Sequence, residues 1–307
     1  MPWRVRFGDG RFELFAAVGE NGRLYAPDHN GRQDNRCKRR QRPATARRSY
    51  LAGGPFQPRL DPQVKAIILS AGQGKRLLPL TERAPKCMLP VAGQPLVGRQ
   101  IDALLACGVE DITVVVGFGA ELVETGVAQR YGARRIRTLY NPFYTITDNL
   151  VSCWVARGEM ERDFLILNGD TLFATVVLQR LLAAAEHPIT LAVSRKDGYD
   201  DDDMKVIRDS DRLLHVGKKL PRAKVNAESI GMMTFRGEGP RLFRDAMERA
   251  LRSPAALSQW YLSLIDALAK TGVVFTQEIP AAGWTEVDSP ADLERASTPG
   301  AAWLSPA

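Results

Sequence analysis

Residues Ile67–Pro95 read IILSAGQGKRLLPLTERAPKCMLPVAGQP, and this stretch decides the fold because it joins a buried strand directly to a glycine-rich, cationic loop. Val64–Leu69 is a short β-branched and aliphatic run, and Gly72 and Gly74 follow at once, so backbone N–H groups can converge on an anion with no Cβ in the way. Lys75, Arg76 and Lys86 add fixed positive charge, and the planar guanidinium of Arg76 suits phosphate oxygens. Two familiar phosphate loops are excluded. A dinucleotide-binding turn would need its third glycine at position 77, which is leucine, and Pro79 disfavours a helix starting right after Gly74. A Walker A loop would need Gly-Lys-Ser/Thr at a spacing that does not occur.

Outward from this loop the chain alternates. Helix is expected over Leu96–Cys107, Ala120–Arg130, Leu150–Arg157 and Thr175–Ala185, and strand over Ile112–Val116, Ile136–Tyr140, Phe164–Leu167 and Ile189–Val193. Such βα alternation predicts an α/β fold of three layers: a mostly parallel, Rossmann-like sheet with helices on both faces. Met204–Phe235 changes texture to short extended pieces and polar turns, which predicts a small antiparallel insertion capping the active site. Helices around Arg241–Leu251 and Ala256–Ala269 and strands near Val273–Ile279 and Trp284–Val287 complete the domain, taken as residues 64–300 with a tail at 301–307.

The chain has 307 residues and a formal net charge of +7, and the whole excess lies in one segment. Residues 1–64 carry 13 Lys+Arg against 6 Asp+Glu, whereas residues 65–307 carry 29 of each. The basic extension, residues 1–63, has few apolar residues to offset ordering entropy and is expected to be disordered, with room for a short hairpin within Trp3–Leu24. Any nucleic-acid role would have to reside there, because the body is neutral. No apolar run is long enough to span a bilayer, so membrane insertion is not expected and a cytoplasmic protein is. Cys37, Cys87, Cys107 and Cys153 lack C-x-x-C spacing and read as reduced thiols; metal chemistry would therefore use carboxylates.

Asp170 follows a strand and Gly169, where a carboxylate can enter a crevice; an Asx turn or a helix cap explains it equally from local sequence. Asp288 precedes Ser289 and Pro290, a helix start that its charge would favour.

Ala71, Gly72, Gly74, Arg76, Leu77, Pro79, Leu80, Thr81, Pro85, Lys86, Pro90 and Pro95 together match the signature A-x-G-x-G-x-R-L-x-P-L-T-x-x-x-P-K-x-x-x-P-x-x-x-x-P. The chain thereby resembles the nucleoside-triphosphate transferase (nucleotidyltransferase) family, from about Val64 to Ala296. Lys75 departs from the threonine or serine usual there. The resemblance implies that Leu69, Ala71, Gly72, Gly74, Arg76 and Lys86 hold the nucleotide, and that Arg76, Lys86 and Asp170 act in catalysis. It also implies that Asp170 and Asp288 bind Mg2+. Asn141-Pro-Phe-Tyr144 with Asn149 and Ser152 is similar to bacterial phosphocholine cytidylyltransferases, which assigns Asn149 and Ser152 to base or ribose contacts and favours CTP. A turn with a helix cap accounts for the same spacing.

For the acceptor, Lys219 falls on the lysine of a Glu-Lys-Pro segment that binds phosphate in sugar-phosphate relatives, although Lys218 replaces the glutamate, and Lys205 or Lys218 could serve instead. Tyr199 with Asp200–Asp203, Glu228, and the pair Trp260-Tyr261 are the expected substrate contacts, able to hold an amine or trimethylammonium by aromatic and acidic groups. The resulting expectation is a magnesium-dependent cytidylyltransferase acting on a small phosphorylated alcohol or phosphonate and releasing pyrophosphate. A sugar-1-phosphate nucleotidyltransferase is the alternative, and homo-oligomerisation is left open.

Overall fold

The computed structural model describes the strands Arg4–Gly8 and Arg11–Phe15, residues 64–132 and 135–301, and Trp303. The chain divides into two units, residues 1–54 and 55–307. In the first, β1 (Arg4–Gly8) and β2 (Arg11–Phe15) pair antiparallel, which is the hairpin expected within Trp3–Leu24. The disorder expected for the rest of residues 1–63 lies outside the described residues.

The second unit runs β3 (Lys65–Ser70), the short ladder β4 (Pro90–Val91) and β5 (Gln94–Pro95), α1 (Leu96–Ala106), β6 (Asp111–Val116), α2 (Ala120–Tyr131) and β7 (Ile136–Tyr140). It continues through α3 (Asn149–Val155), β8 (Phe164–Asn168), β9 (Thr171–Phe173), α4 (Thr175–Leu182), β10 (Ile189–Ser194), β11 (Lys205–Asp209), β12 (Arg212–Gly217) and β13 (Ala227–Phe235). Last come α5 (Gly239–Ala250), α6 (Tyr261–Ala269), β14 (Val274–Glu278), β15 (Trp284–Glu286) and α7 (Pro290–Ser297).

Strands β7, β6, β3 and β8 lie side by side and parallel, with Ile68 opposite Val114 on one side and Leu167 on the other. β13 then runs antiparallel between β8 and β10, and β14 pairs parallel with β10. Period-two alternation sends successive side chains of β3 to opposite cores. Ile67 packs with α3, α5 and α6 residues such as Cys153, Phe243 and Ile265, whereas Ala66 and Ile68 pack with Ile101, Val123 and Leu178 of α1, α2 and α4. The helices on both faces are those that the βα alternation predicts, but the nine-stranded sheet is mixed rather than mostly parallel, because β13 enters antiparallel between β8 and β10 and the β11–β12 hairpin pairs antiparallel beside it.

Two further expectations need correction. The antiparallel insertion is smaller than Met204–Phe235: β11 and β12 form a hairpin, but β13 is a nine-residue strand of the main sheet, buried at every position. A strand covered on both faces does not alternate, so its sequence lacks the period-two signal. The helix expected over Ala256–Ala269 begins only at Tyr261. Gln259 and Trp260 are extended because the preceding segment pairs with the start of α3: Asp148 donates its N–H to the Leu257 carbonyl, and Leu150 to that of Gln259.

Candidate active site

The glycine loop folds back on itself at the carboxyl end of β3. Gly74 adopts φ +78°, and a Cβ there would stand 2.7 Å from Cβ of Lys86, so glycine serves both the left-handed backbone and the close passage of Lys86 beneath it. Buried Thr81 donates its hydroxyl to the Gly74 carbonyl at 2.9 Å, and the Lys86 N–H reaches the Gln73 carbonyl at 3.2 Å. Lys75–Leu77 makes a single 3-10 turn and no α-helix, as Pro79 requires. The loop encloses a cleft of 310 Å³ lined by Gly72, Gly74, Lys75, Arg76, Lys86, Gly169, Asp170 and Asp288 among others.

Inside it, the Lys86 ammonium lies 3.0 Å from Asp170 Oδ2 and 2.5 Å from Asp288 Oδ1, and Arg76 Nη2 is 2.8 Å from Asp288 Oδ2. Burial alone would lower the Lys86 pKa, but the charges of Asp170 and Asp288 more than offset this and raise it. All four residues singled out for catalysis and metal binding therefore meet in one place.

The Asn168-Gly169-Asp170 turn is held from several sides. A Cβ on Gly169 would come within 2.5 Å of the Leu69 carbonyl oxygen and of Ser70 Oγ, so only glycine lets this turn lie against the end of β3. Gln100 of α1 donates Nε2 to the carbonyls of Asn168 and Thr171, both at 2.8 Å. The hydroxyl of buried Tyr261 donates to Asn168 Oδ1 at 3.0 Å, and Gly231, at φ +71°, leaves room for that same side chain. Gln100 and Asn168 were not singled out from sequence, and Tyr261, expected beside Trp260 as a substrate contact, is instead fully buried and braces this turn. The available signal was a glutamine at a buried position on the otherwise apolar face Leu96, Val97, Ile101 and Leu104.

Asp288 is freed by its neighbours. Ser289 and Asp292 form the capping box of α7, with Asp292 Oδ2 accepting the N–H of Ser289 at 2.7 Å and of Asp288 at 3.1 Å. The helix start read in the sequence is present, and it leaves the Asp288 carboxylate to Lys86 and Arg76. Glu286, also missed from sequence, ends β15 two residues before Asp288. Its carboxyl is pushed up to about 8 by burial and then by the charges of Asp170 and Asp288. Oxygen-only donors converging on one cationic point, with Asp170 Oδ1 buried and unpartnered, fit a hard divalent ion. Among the described residues, no group of three or more His, Cys, Asp or Glu assembles a metal site.

Asn149 and Ser152, the expected base or ribose contacts, both have partners within the fold. Ser152 is buried and its Oγ accepts from Asn141 Nδ2 at 3.0 Å, while Asn149 Oδ1 accepts the Tyr261 N–H at 2.9 Å and fastens α3 to the start of α6. The segment does approach the loop through Tyr144, whose Cβ and Cγ lie over Gly117 beside the Ala71 carbonyl.

The expected acceptor contacts separate. Glu228 lines a 580 Å³ cavity that shares Arg76 and Asp288 with the glycine-loop cleft. Lys196 bridges its carboxylate and that of Asp203 at 2.8 Å each, with the ammonium 5.9 Å from the Tyr199 ring centre. Burial raises the Glu228 pKa, and Lys196 counters only part of that. Trp260 and exposed Lys219 instead line a 720 Å³ cavity between the β11–β12 hairpin and α6, where the Lys218 ammonium stands 5.0 Å over the Trp260 ring. Cys87, Cys107 and Cys153 are free and buried, as expected; Cys37 lies outside the described residues.

Comparison with known proteins places this geometry. Residues 66–272 match the MobA-like NTP transferase domain. A CMP-5'-(3-aminopropyl)phosphonate synthase of Streptomyces rubellomurinus is 30% identical over 246 residues, covering 76% of this chain and 38% of the relative. A choline-phosphate cytidylyltransferase of Streptococcus pneumoniae is 34% identical over 110 residues, covering 36% of this chain and 46% of the relative. The chain thus spans less than half the length of these two curated relatives. The solved structure of the inositol-1-phosphate CTP transferase from T. maritima superposes with a TM-score of 0.64 at 25% identity, over 77% of this chain and 96% of that one.

Proposed function

From a chain that belongs to the MobA-like NTP transferase family and is a nucleotidyltransferase, we propose a magnesium-dependent cytidylyltransferase that joins CTP to a small phosphorylated alcohol or phosphonate and releases pyrophosphate. The observation that carries this reading is the convergence of Asp170 and Asp288 on Lys86 beneath a glycine loop, with Arg76 at its rim. The phosphonate synthase and choline-phosphate cytidylyltransferase among its relatives support the nucleotide and the acceptor class.

The amides of Gly72 and Gly74 take triphosphate oxygens, and Arg76 and Lys75 add charge at the rim. Lys86 is a flexible point charge already beside the reacting centre, able to exchange carboxylate oxygens for those of phosphate. An acceptor phosphate oxygen attacks the α-phosphorus in line, forming a new P–O bond as the bond to pyrophosphate breaks. A phosphate monoester has a second pKa of about 6 and is largely dianionic near neutrality, so no side chain need take a proton. Asp170 and Asp288 would hold Mg2+, which when bound neutralises charge on the phosphates. The β11–β12 hairpin closes the acceptor side of the site. Free, buried thiols agree with action in the cytoplasm.

The test is pyrophosphate release from CTP, UTP, GTP and dTTP against phosphocholine, an aminoalkylphosphonate, inositol phosphate and a hexose 1-phosphate. Turnover is expected with CTP and a non-sugar acceptor. Turnover confined to UTP or GTP with the hexose phosphate rejects the proposal.

A further inference from the structure

A third, small core stands apart from the two that flank the sheet, shared by Val91, Leu96, Leu172, Val287, Ala296 and Trp303. Its members adjoin the charged cluster of the cleft. Val91 lies on the connection that follows Lys86, Leu172 follows Asp170 in β9, and Val287 directly precedes Asp288. Backbone ties the two aspartates as well. β15 pairs antiparallel with β9, with Glu286 opposite Thr171, and beyond that pair the Val287 N–H donates to the Asp170 carbonyl at 3.1 Å. A two-stranded ladder is marginal unless its faces are covered. On one face of this ladder, Phe173 and Trp284 pack into the large core under α1 and α4. Leu172 opposes Thr285, and Val287 is the next residue on that same face, which rests on the small core.

Trp303 supplies the one aromatic ring of this core among the described residues. It is 7% exposed, its indole N–H donates to the Ala296 carbonyl of α7 at 3.2 Å, and the Arg99 guanidinium of α1 stands 5.4 Å over its ring. The same guanidinium donates to the Val91 and Ala92 carbonyls at 2.9 Å and 2.6 Å. One indole thus joins α7, α1 and the β4–β5 turn in the core that receives Val287.

We propose that Trp303 is a positioning residue for the reaction: its ring closes the small core that holds Asp288 against Asp170 and Lys86. Its part in turnover rests on the transferase reading above; its hold on the β9–β15 ladder does not. Without the ring, the Val287 end of β15 is free to shift relative to β9 and to carry Asp288 with it. A displacement of about 1 Å at a reacting centre can cost about 10²-fold in rate.

The experiment compares the wild type with Trp303→Ala, Trp303→Leu, Trp303→Phe and Phe243→Leu, the last removing ring volume from the core on the opposite face of the sheet. Amide hydrogen exchange is read by mass spectrometry at low temperature, where the variants are folded, and turnover is measured under the same conditions. In Trp303→Ala, exchange should quicken in peptides covering 170–173 and 284–288 and stay unchanged in β3 and β6. Its kcat should fall about tenfold or more with the nucleotide KM unchanged. Trp303→Phe, which keeps an aromatic ring, should restore most of both, and Phe243→Leu should show neither effect at a comparable loss of melting temperature. Should Trp303→Ala not fold, Trp303→Leu carries the same comparison. Unchanged exchange in the two peptides overturns the proposal, as does quickening spread evenly over the domain, or full kcat with the ladder loosened. Local quickening in a protein whose wild type shows no nucleotidyl transfer keeps the hold on the ladder and removes the transferase reading.

Discussion

Asp170 and Asp288 share a single ammonium, that of Lys86, at 3.0 Å and 2.5 Å. Each carboxylate comes from a different strand end, and among the described residues the one further cation on either is Arg76, on Asp288. Asp170→Asn is expected to lower turnover about 10²–10³-fold with little change in nucleotide affinity, as for loss of a transition-state electrostatic contact. Asp288→Asn should do the same, and the double variant should cost less than the two losses multiplied, because both act on one centre. Undiminished single-turnover rates would remove either residue from the site.

Gly169→Ala forces a methyl to 2.5 Å from the Leu69 carbonyl oxygen and Ser70 Oγ. The turn must shift and carry Asp170 with it. A stability loss of about 1–3 kcal/mol in urea titration is expected, with turnover falling further than stability alone explains.

Tyr261→Phe deletes the hydroxyl that donates to Asn168 Oδ1 at 3.0 Å and leaves that half-buried oxygen without this donor. The expected cost is about 1–3 kcal/mol, read by denaturant unfolding. A modest drop in kcat with unchanged KM for the nucleotide would mark Tyr261 as positioning the Asp170 turn. Unaltered kcat would leave it a packing residue.

Asp102 joins α1 to the end of α2. Burial would raise its pKa, but Gln94, the Tyr131 hydroxyl and Arg130 hold it below the usual aspartate value. A depressed carboxylate stabilises the fold above its unfolded pKa and ceases to as pH falls through the folded one. Asp102→Asn should therefore melt below the wild type at pH 7, with the gap closing below about pH 4. Partial exposure screens the charge, so the difference at neutral pH is expected to stay near about 1 kcal/mol or less. A gap independent of pH would refute this origin.

Burial pushes Cys87 up to about 12, Cys107 up to about 11, and Cys153 well upward. None is a thiolate at pH 8, so alkylation by iodoacetamide followed by peptide mass spectrometry should find all three unmodified until the protein is unfolded. Labelling of native Cys87 would show that the loop opens.

Periodicity in the sequence was enough to place the parallel strands, their helices and the glycine loop, since a buried strand followed by small residues and cations is a local pattern. The family resemblance, and not periodicity, brought Arg76, Lys86, Asp170 and Asp288 together, since local sequence explained either aspartate equally well as a turn or helix-start residue. β13 was hidden because complete burial erases alternation, and the delayed start of α6 because its cause, pairing of Gln259 with the start of α3, lies far off in the chain. The division of Lys219 and Trp260 from Glu228 into two cavities was equally invisible.

The amino-acid order by itself determined which backbone could turn at Gly74 and Gly169 and which segments had to be buried, because sterics and apolar period act over a few residues. Tertiary structure alone decided that Asp288 is relieved of capping duty by Asp292 and that Gln100 and Tyr261 brace the Asp170 turn. Those outcomes depend on which partners arrive from distant strands, and a charge or hydrogen bond has no value until its neighbour and its distance from water are fixed.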